Sequence, residues 1–192
     1  MTRWFVFFGL VAASVSIATA ASLPELETLQ IDSARSHAGF SLRAMFLVSV
    51  QGTFGKVSGT VHLDRKRDLG WVDAHIDAHA VEMSSRDRDD WARSPEFFDS
   101  ENYPDIRFHS DPITRSMLRD GGELRGRLKL RGIERAIVLA VLPADCDQPG
   151  RDCPMHAQGS ISRSEFGMRS KRAVLGDRVV LDLWVFAKSA NP

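Results

Sequence analysis

The chain has 192 residues, 43% of them hydrophobic, with 25 basic and 25 acidic side chains. That length suits one domain with a sizeable core and is short for two. A balanced charge gives no general attraction for a polyanion, so nucleic acid is excluded as a principal partner.

The first twenty residues, "MTRWFVFFGLVAASVSIATA", hold one cation (Arg3), an apolar run from Trp4 to Ile17 and the small-x-small ending Ala18-Thr19-Ala20. This is the pattern of a secretory signal peptide cleaved after Ala20, and its apolar run is shorter than the ~20 residues of a transmembrane helix. Residues 1–20 are therefore expected to be a signal peptide and 21–192 the exported, periplasmic domain. Without Arg3 that domain carries 24 basic against 25 acidic residues, a formal charge of −1.

Beyond the leader, apolar and polar residues alternate. Strands are expected at residues 28–32, 38–43, 48–54 and 56–64, punctuated by Gly52 and Gly55. From residue 72 to 80 the even positions are Val72, Ala74, Ile76, Ala78 and Ala80, and the odd ones Asp73, His75, Asp77 and His79. Such a strand turns one apolar and one polar face outward from its own axis, as in an antiparallel sheet.

The stretch "RDRDDWARSPEFFDSENYPDIRF" (residues 86–108) then breaks the alternation. Residues 87–94 have poor strand chemistry and end at Pro95, so a short helical turn is expected, with Ser84 or Ser85 near its start. Phe97-Phe98 follows, then Tyr103-Pro104, where proline holds Tyr103 extended. An inserted turn with large aromatics suits the closing of a barrel mouth; a hydrophobic plug without a ligand is the plainer reading. Adjacent residues in extended chain face opposite ways. One of Phe97 and Phe98 is thus expected to enter the lumen, and the other to pack the Trp91 turn on the rim.

Alternation resumes at residues 105–114. In "ELRGRLKLRG", Leu124, Leu128 and Leu130 alternate with Arg125, Arg127, Lys129 and Arg131. Strands are expected again at residues 133–142 and 156–163, and Val179, Leu181, Leu183 and Val185 share a last face. So many strands with no long amphipathic helix indicate a sandwich or a closed barrel, and closure removes the sheet edges. In "PADCDQPGRDCP", Cys146 and Cys153 flank the turn signal Pro149-Gly150. With an export signal, the pair reads as a disulfide clamping a hairpin tip rather than as half a zinc site.

Three blocks in order carry a family resemblance. They are "IDSARSHAGFSLRAM" (residues 31–45), the stretch holding Arg86-Asp87, Arg93-Ser94, Phe97-Phe98-Asp99 and Tyr103-Pro104, and "LKLRGIERAIVLAV" with "GSISRSEFGM" and "LGDRVVLDL". From about residue 28 to 187 the sequence resembles the YceI-like family of exported lipid-binding proteins. That resemblance implies an all-β fold, a lipocalin-like extended eight-stranded antiparallel β-barrel with a short helical turn at one mouth. It also implies an apolar lumen for an amphiphilic lipid, a polyisoprenoid in known cases. The loop between the cysteines is not part of the family pattern, and "SLRAM" stands where a "VKHM"-like segment is usual.

On this reading the lumen is lined by Phe40, Leu42, Phe54, Val72, Ala74, Ile76, Ala78, Phe97, Phe98, Ile106, Phe108, Leu128, Phe166, Leu181 and Leu183. The small Ala74, Ala78, Ala80 and Gly126 leave room for a tail. Ile76, Ala78, Phe108 and Leu128 should point inward, and His75, Asp77, Arg107 and Lys129 outward. An eight-stranded barrel has an interior wide enough for one small ligand.

No cofactor is expected, only a bound polyisoprenoid or quinone as ligand, with transient membrane contact. A homodimer stays open. The His-x-Asp-x-His face could supply two metal ligands, but on an outer barrel face it reads as solvated, and no metal site is assigned. The row of cations from Arg125 to Arg131 reads likewise as a solvated face, while Arg86 and Arg88 could hold a phosphate or quinone head at the mouth. No G-x-S-x-G or H-E-x-x-H motif is present, so no catalytic activity is expected. The leading expectation is a periplasmic lipid carrier; the alternative is a quinone-handling accessory factor of a membrane redox enzyme.

Overall fold

The computed structural model describes residues 26–45 and 47–189. The expected signal peptide and its cleavage site lie outside the described residues.

The alternating segments form one antiparallel sheet of thirteen segments: β1 (Leu26–Ile31), β2 (His37–Ala44), β3 (Val48–Phe54), β4 (Val57–Asp64), β5 (Leu69–Asp77), β6 (Val81–Glu82), β7 (Asp105–Ser110), β8 (Ile113–Thr114), β9 (Gly122–Leu130), β10 (Ile133–Val141), β11 (Met155–Ser162), β12 (Leu175–Val185) and β13 (Ala187–Ser189). Several are halves of one long run. β1 continues into β2, β3 into β4, β5 through a 3₁₀ turn (Ala78–Ala80) into β6, and β12 into β13. Fused in this way, and with β8 as a short extension beside β5, the sheet is an eight-stranded meander.

The meander curls until its last run meets its first. β12 pairs with β2 up to Trp184↔His37, and β13 pairs with β1 from Ile31↔Ala187. The interruption between those ladders is bridged locally. The Phe186 carbonyl accepts from the Asp32 N–H at 2.8 Å, and the Phe186 N–H donates to the Ser36 hydroxyl at 2.9 Å. Ser36 is 3% exposed, so this seam is sealed, and the backbone groups that an edge would leave bare are satisfied. One seam is looser. β10 and β11 pair only from Leu139↔Gly159 to Val141↔Ala157, and their other ends diverge.

Three strand expectations change in detail. The run at 72–80 starts earlier, at Leu69, and ends at Asp77, whose carboxylate accepts from the His79 N–H at 2.9 Å and starts the 3₁₀ turn. The run at 105–114 is split, because Pro112 has no N–H to offer the ladder. The run at 156–163 stops at Ser162, and Arg163 opens a second 3₁₀ turn (Arg163–Phe166). The expected helical turn is α1 (Arg86–Arg93), and a second short helix, α2 (Met117–Asp120), lies near the opposite end.

Register confirms which face is inside. Ala74, Phe108 and Leu128 lie side by side across β5, β7 and β9, and His75, Arg107 and Lys129 form the next row. The first row is buried or half-buried, whereas in the second Arg107 and Lys129 are exposed and His75 is half-buried on the outer face. With apolar residues inward and charged ones outward, the barrel has the polarity opposite to a transmembrane one.

Candidate functional site: the barrel lumen and its two ends

The lumen is apolar throughout. Phe40, Phe54, Val72, Ala74, Ile76, Phe97, Phe98, Ile106, Phe108, Leu128, Leu181 and Leu183 all line its cavity, as expected from the alternation. Leu124, Ile137, Leu139, Ile161 and Val179 line it as well. Their strands carry the same period-two signal, so the pattern could have found them. Met155, on the face of β11 that Ala157 and Ile161 share, and Met168, beyond the second 3₁₀ turn, also contribute, and only Met168 lies outside the alternation.

Three expected lining residues do not reach the cavity. Leu42 is buried near the end of β2, in the core but beyond the cavity. Ala78 is fully buried in the 3₁₀ turn, where the backbone has left the strand and its alternation. Phe166 is fully buried in the second 3₁₀ turn, again packed in the core and off the cavity wall. Gly126 does not leave room for a ligand either: a Cβ there would stand 2.6 Å from the Phe108 ring, which already fills the space. Ala80 is half-buried in the first 3₁₀ turn and off the wall, so only Ala74 keeps that part.

The "RDRDDWARSPEFFDSENYP" stretch closes one end. Phe97 is 1% exposed and Phe98 6%, and both line the cavity. The expected division of labour is corrected, because this chain is not extended. The N–H groups of Phe97 and Asp99 donate to the Ser94 carbonyl and that of Phe98 to Ala92, a tight turn that sends both rings inward. Phe97 combines the two expected jobs, 4.9 Å from Trp91 and 4.6 Å from Phe98 between ring centroids. Phe98 packs edge-on to Phe40 and Phe54.

The charged residues of the stretch are fixings. Arg93 donates to the carbonyls of His79 and Val81, both at 2.9 Å. Arg131 is not part of the solvated cation row: it turns onto the plug, donating to Pro95 and Phe97 carbonyls and pairing with buried Asp99. Arg88 donates to Ser84, and with this mouth filled by aromatic rings a head-group role for Arg86 and Arg88 loses its geometry.

The opposite end is open and polar. A cleft of about 480 Å³ lies there, bounded by Arg65, Arg115, Arg119, Arg151 and Lys188 with Glu27 and Asp147. Leu118 and Met155 line both the cleft and the lumen, so the two spaces adjoin. The loop carrying the disulfide forms one wall. Cys146 and Cys153 are bonded, with Cα atoms 6.1 Å apart, as expected from their spacing. The lumen cavity itself measures about 150 Å³. That volume takes one small ring or about one to two isoprene-sized units, against ~300–1,000 Å³ for a drug-sized site. A longer tail requires the flexible Met155 and Met168 to yield, or extends into the cleft.

The His-Asp face of β5 is not one metal-ligand row. His75 contacts Asp105 at 2.5 Å, Asp73 contacts His109 at 2.5 Å, and His79 turns to Asp77. Each of these histidines is engaged by a carboxylate, and Asp73 also lies 3.5 Å from His62. Among the described residues, no group of three or more His, Cys, Asp or Glu side chains is placed to hold a metal ion.

A closed meander barrel with an apolar lumen, plugged at one end and polar at the other, defines a lipocalin-like protein. The YceI-like domain family matches residues 29–187, and the chain belongs to that family. Protein YceI of Escherichia coli O157:H7 is 30% identical over 149 residues, covering 73% of this chain and 76% of that protein. Among solved structures, Burkholderia cenocepacia BcnA superposes with a TM-score of 0.67 at 22% identity, covering 81% of this chain and 98% of its own. A polyisoprenoid-binding domain from Saccharophagus degradans superposes with a TM-score of 0.63 at 14% identity, covering 85% and 99%. At those identities the two structures establish the fold.

Proposed function

We propose that the protein is a non-catalytic, periplasmic carrier of an amphiphilic lipid, with an isoprenoid tail in the lumen and the polar head in the adjoining cleft. The observation that carries this reading is the adjacency of the two spaces, which share Leu118 and Met155 as lining side chains. An apolar lumen adjoining a polar, charged cleft suits a lipid better than a wholly apolar or wholly polar ligand. Burial of each CH₂ from water is worth ~0.8 kcal/mol, but a tail leaving a bilayer is already in hydrocarbon. Exchange between bilayer and barrel is then close to neutral, as a carrier requires, and selectivity falls to the head group. The polyisoprenoid-binding domain of Saccharophagus degradans has the same fold, which supports the choice of tail. Handling a quinone for a membrane redox enzyme is a narrower form of the same chemistry.

The test is native mass spectrometry of protein purified from its own periplasm, followed by lipid extraction. A stoichiometric apolar adduct that Ala74→Trp displaces is the expected result. Protein without an adduct, and without uptake of an added polyprenol or quinone, would sink the reading.

A further inference from the structure

At the plugged end, Met45 and Leu47 lie in the connection between Ala44, the last residue of β2, and Val48, the first of β3. Turns between antiparallel strands ordinarily carry Gly, Asn or Asp, and a run of exposed apolar residues there calls for a functional reason. Met45 even takes a left-handed φ of 47°, which disfavours a residue of its kind. Leu47 is 87% exposed, Met45 63% and Val48 50%. Next to them stands Val174, also exposed, whose carbonyl accepts from the Met45 N–H at 2.7 Å. Two loops far apart in sequence thus bring these exposed apolar side chains together as one ridge, beside a cleft lined by Arg43, Arg172 and Val174.

The second loop is held firmly. Arg163 is only 1% exposed and donates to the carbonyls of Met168 (2.6 Å), Gly176 (3.0 Å) and Leu175 (3.1 Å). Around the ridge stand exposed Arg43, Arg169, Lys171, Arg172 and Arg178, against Glu165 and Asp177. Lys171 also pairs with Glu96 at 3.8 Å, and Asp177 accepts from Ser164. The two loops thus carry five cations against two carboxylates, whereas the neighbouring plug stretch is mixed in charge, with Asp87, Asp89, Asp90, Glu96 and Glu101 against Arg86, Arg88 and Arg93.

We propose that this ridge docks the protein on the surface of an anionic lipid bilayer. The apolar tip enters the boundary between head groups and acyl chains, and the surrounding cations face lipid phosphates. A ridge of a few side chains is a poor match for a protein partner, which needs roughly 800 Å² of complementary surface on each side. Charge complementarity favours the bilayer. The plug end would face the membrane and the polar cleft, at the other end of the strands, would face water. This holds whatever occupies the lumen.

The test is co-sedimentation of residues 21–192, which contain every element of the barrel, with vesicles of phosphatidylglycerol mixed into phosphatidylcholine, and with phosphatidylcholine alone. Binding should require the anionic lipid and weaken with added salt. Leu47→Asp, and separately Met45→Ser with Leu47→Ser, should lower partition roughly tenfold or more while leaving the melting temperature in place. Val138→Asp, at a residue 45% exposed on β10 away from the ridge, should partition as the unaltered protein does. Unchanged partition of both ridge variants, equal loss in Val138→Asp, or binding indifferent to lipid charge would overturn the proposal. So would a dimer in sedimentation velocity that Leu47→Asp dissociates, since the ridge would then cover a second copy.

Discussion

Replacing Phe97 by alanine tests the description of the plug most directly. The ring is 1% exposed, and its centroid lies 4.9 Å from that of Trp91, 4.6 Å from Phe98 and 6.3 Å from Phe40. Loss of its transfer free energy costs roughly 2 kcal/mol. The space left behind, ~80 Å³ at ~24 cal/mol per Å³, adds about 2 kcal/mol if the walls relax little. The sum of about 4 kcal/mol corresponds to a fall in melting temperature of ~8–16 °C for a domain of this length. Equilibrium urea unfolding with an unchanged slope would show that the loss belongs to the folded state. Phe98→Ala should cost a comparable amount, and the double variant should show a coupling of about 0.5–1.5 kcal/mol from the edge-on ring pair. A loss under about 1 kcal/mol for Phe97→Ala would refute the reasoning, because a ring packed on three aromatic neighbours cannot be removed so cheaply.

Gly126→Ala should destabilise by about 1–3 kcal/mol in thermal unfolding, since a Cβ would sit 2.5 Å from the His109 carbonyl oxygen and 2.6 Å from the Phe108 ring. Replacing Cys146 and Cys153 together by serine should cost ~2–3 kcal/mol, the chain entropy of so short a loop, and intact mass with and without reductant should differ by one disulfide. Acid should weaken the fold through the outer carboxylates. Hydrogen bonds from His75 and Arg107 hold Asp105 below its ordinary range. At Asp182 partial burial pushes upward, but hydrogen bonds from His156, Trp184 and Gln158 outweigh it. Groups depressed by folding contribute fully above about pH 4 and lose that contribution as pH falls through their folded values. Asp182→Asn should therefore show a smaller loss of melting temperature between about pH 4 and 2 than the unaltered protein.

The sequence by itself determined the strands and their faces. Period-two alternation fixes which residues share a face, so Ala74, Ile76, Phe108 and Leu128 could be placed inside and His75, Arg107 and Lys129 outside before any coordinate. It marked the cysteine loop and the helical turn as well. What it could not determine lies where the backbone leaves the strand. Phe97 and Phe98 both turn inward because carbonyls of Ala92 and Ser94 fold that segment, and Ala78 and Phe166 leave the lumen wall because 3₁₀ turns replace the alternation. Arg131 looks like one more outward cation in "LRGRLKLRG", yet it ends the strand with a φ of 51° and reaches the plug. Arg163 in "SISRSEF" gives no local sign that it will be buried against three carbonyls. The ridge of Met45, Leu47, Val48 and Val174 likewise exists only because β2 and β12 are paired, which places their two loops together. Local pattern reads the side of a strand, whereas turn hydrogen bonds and long-range pairing decide which distant residues meet.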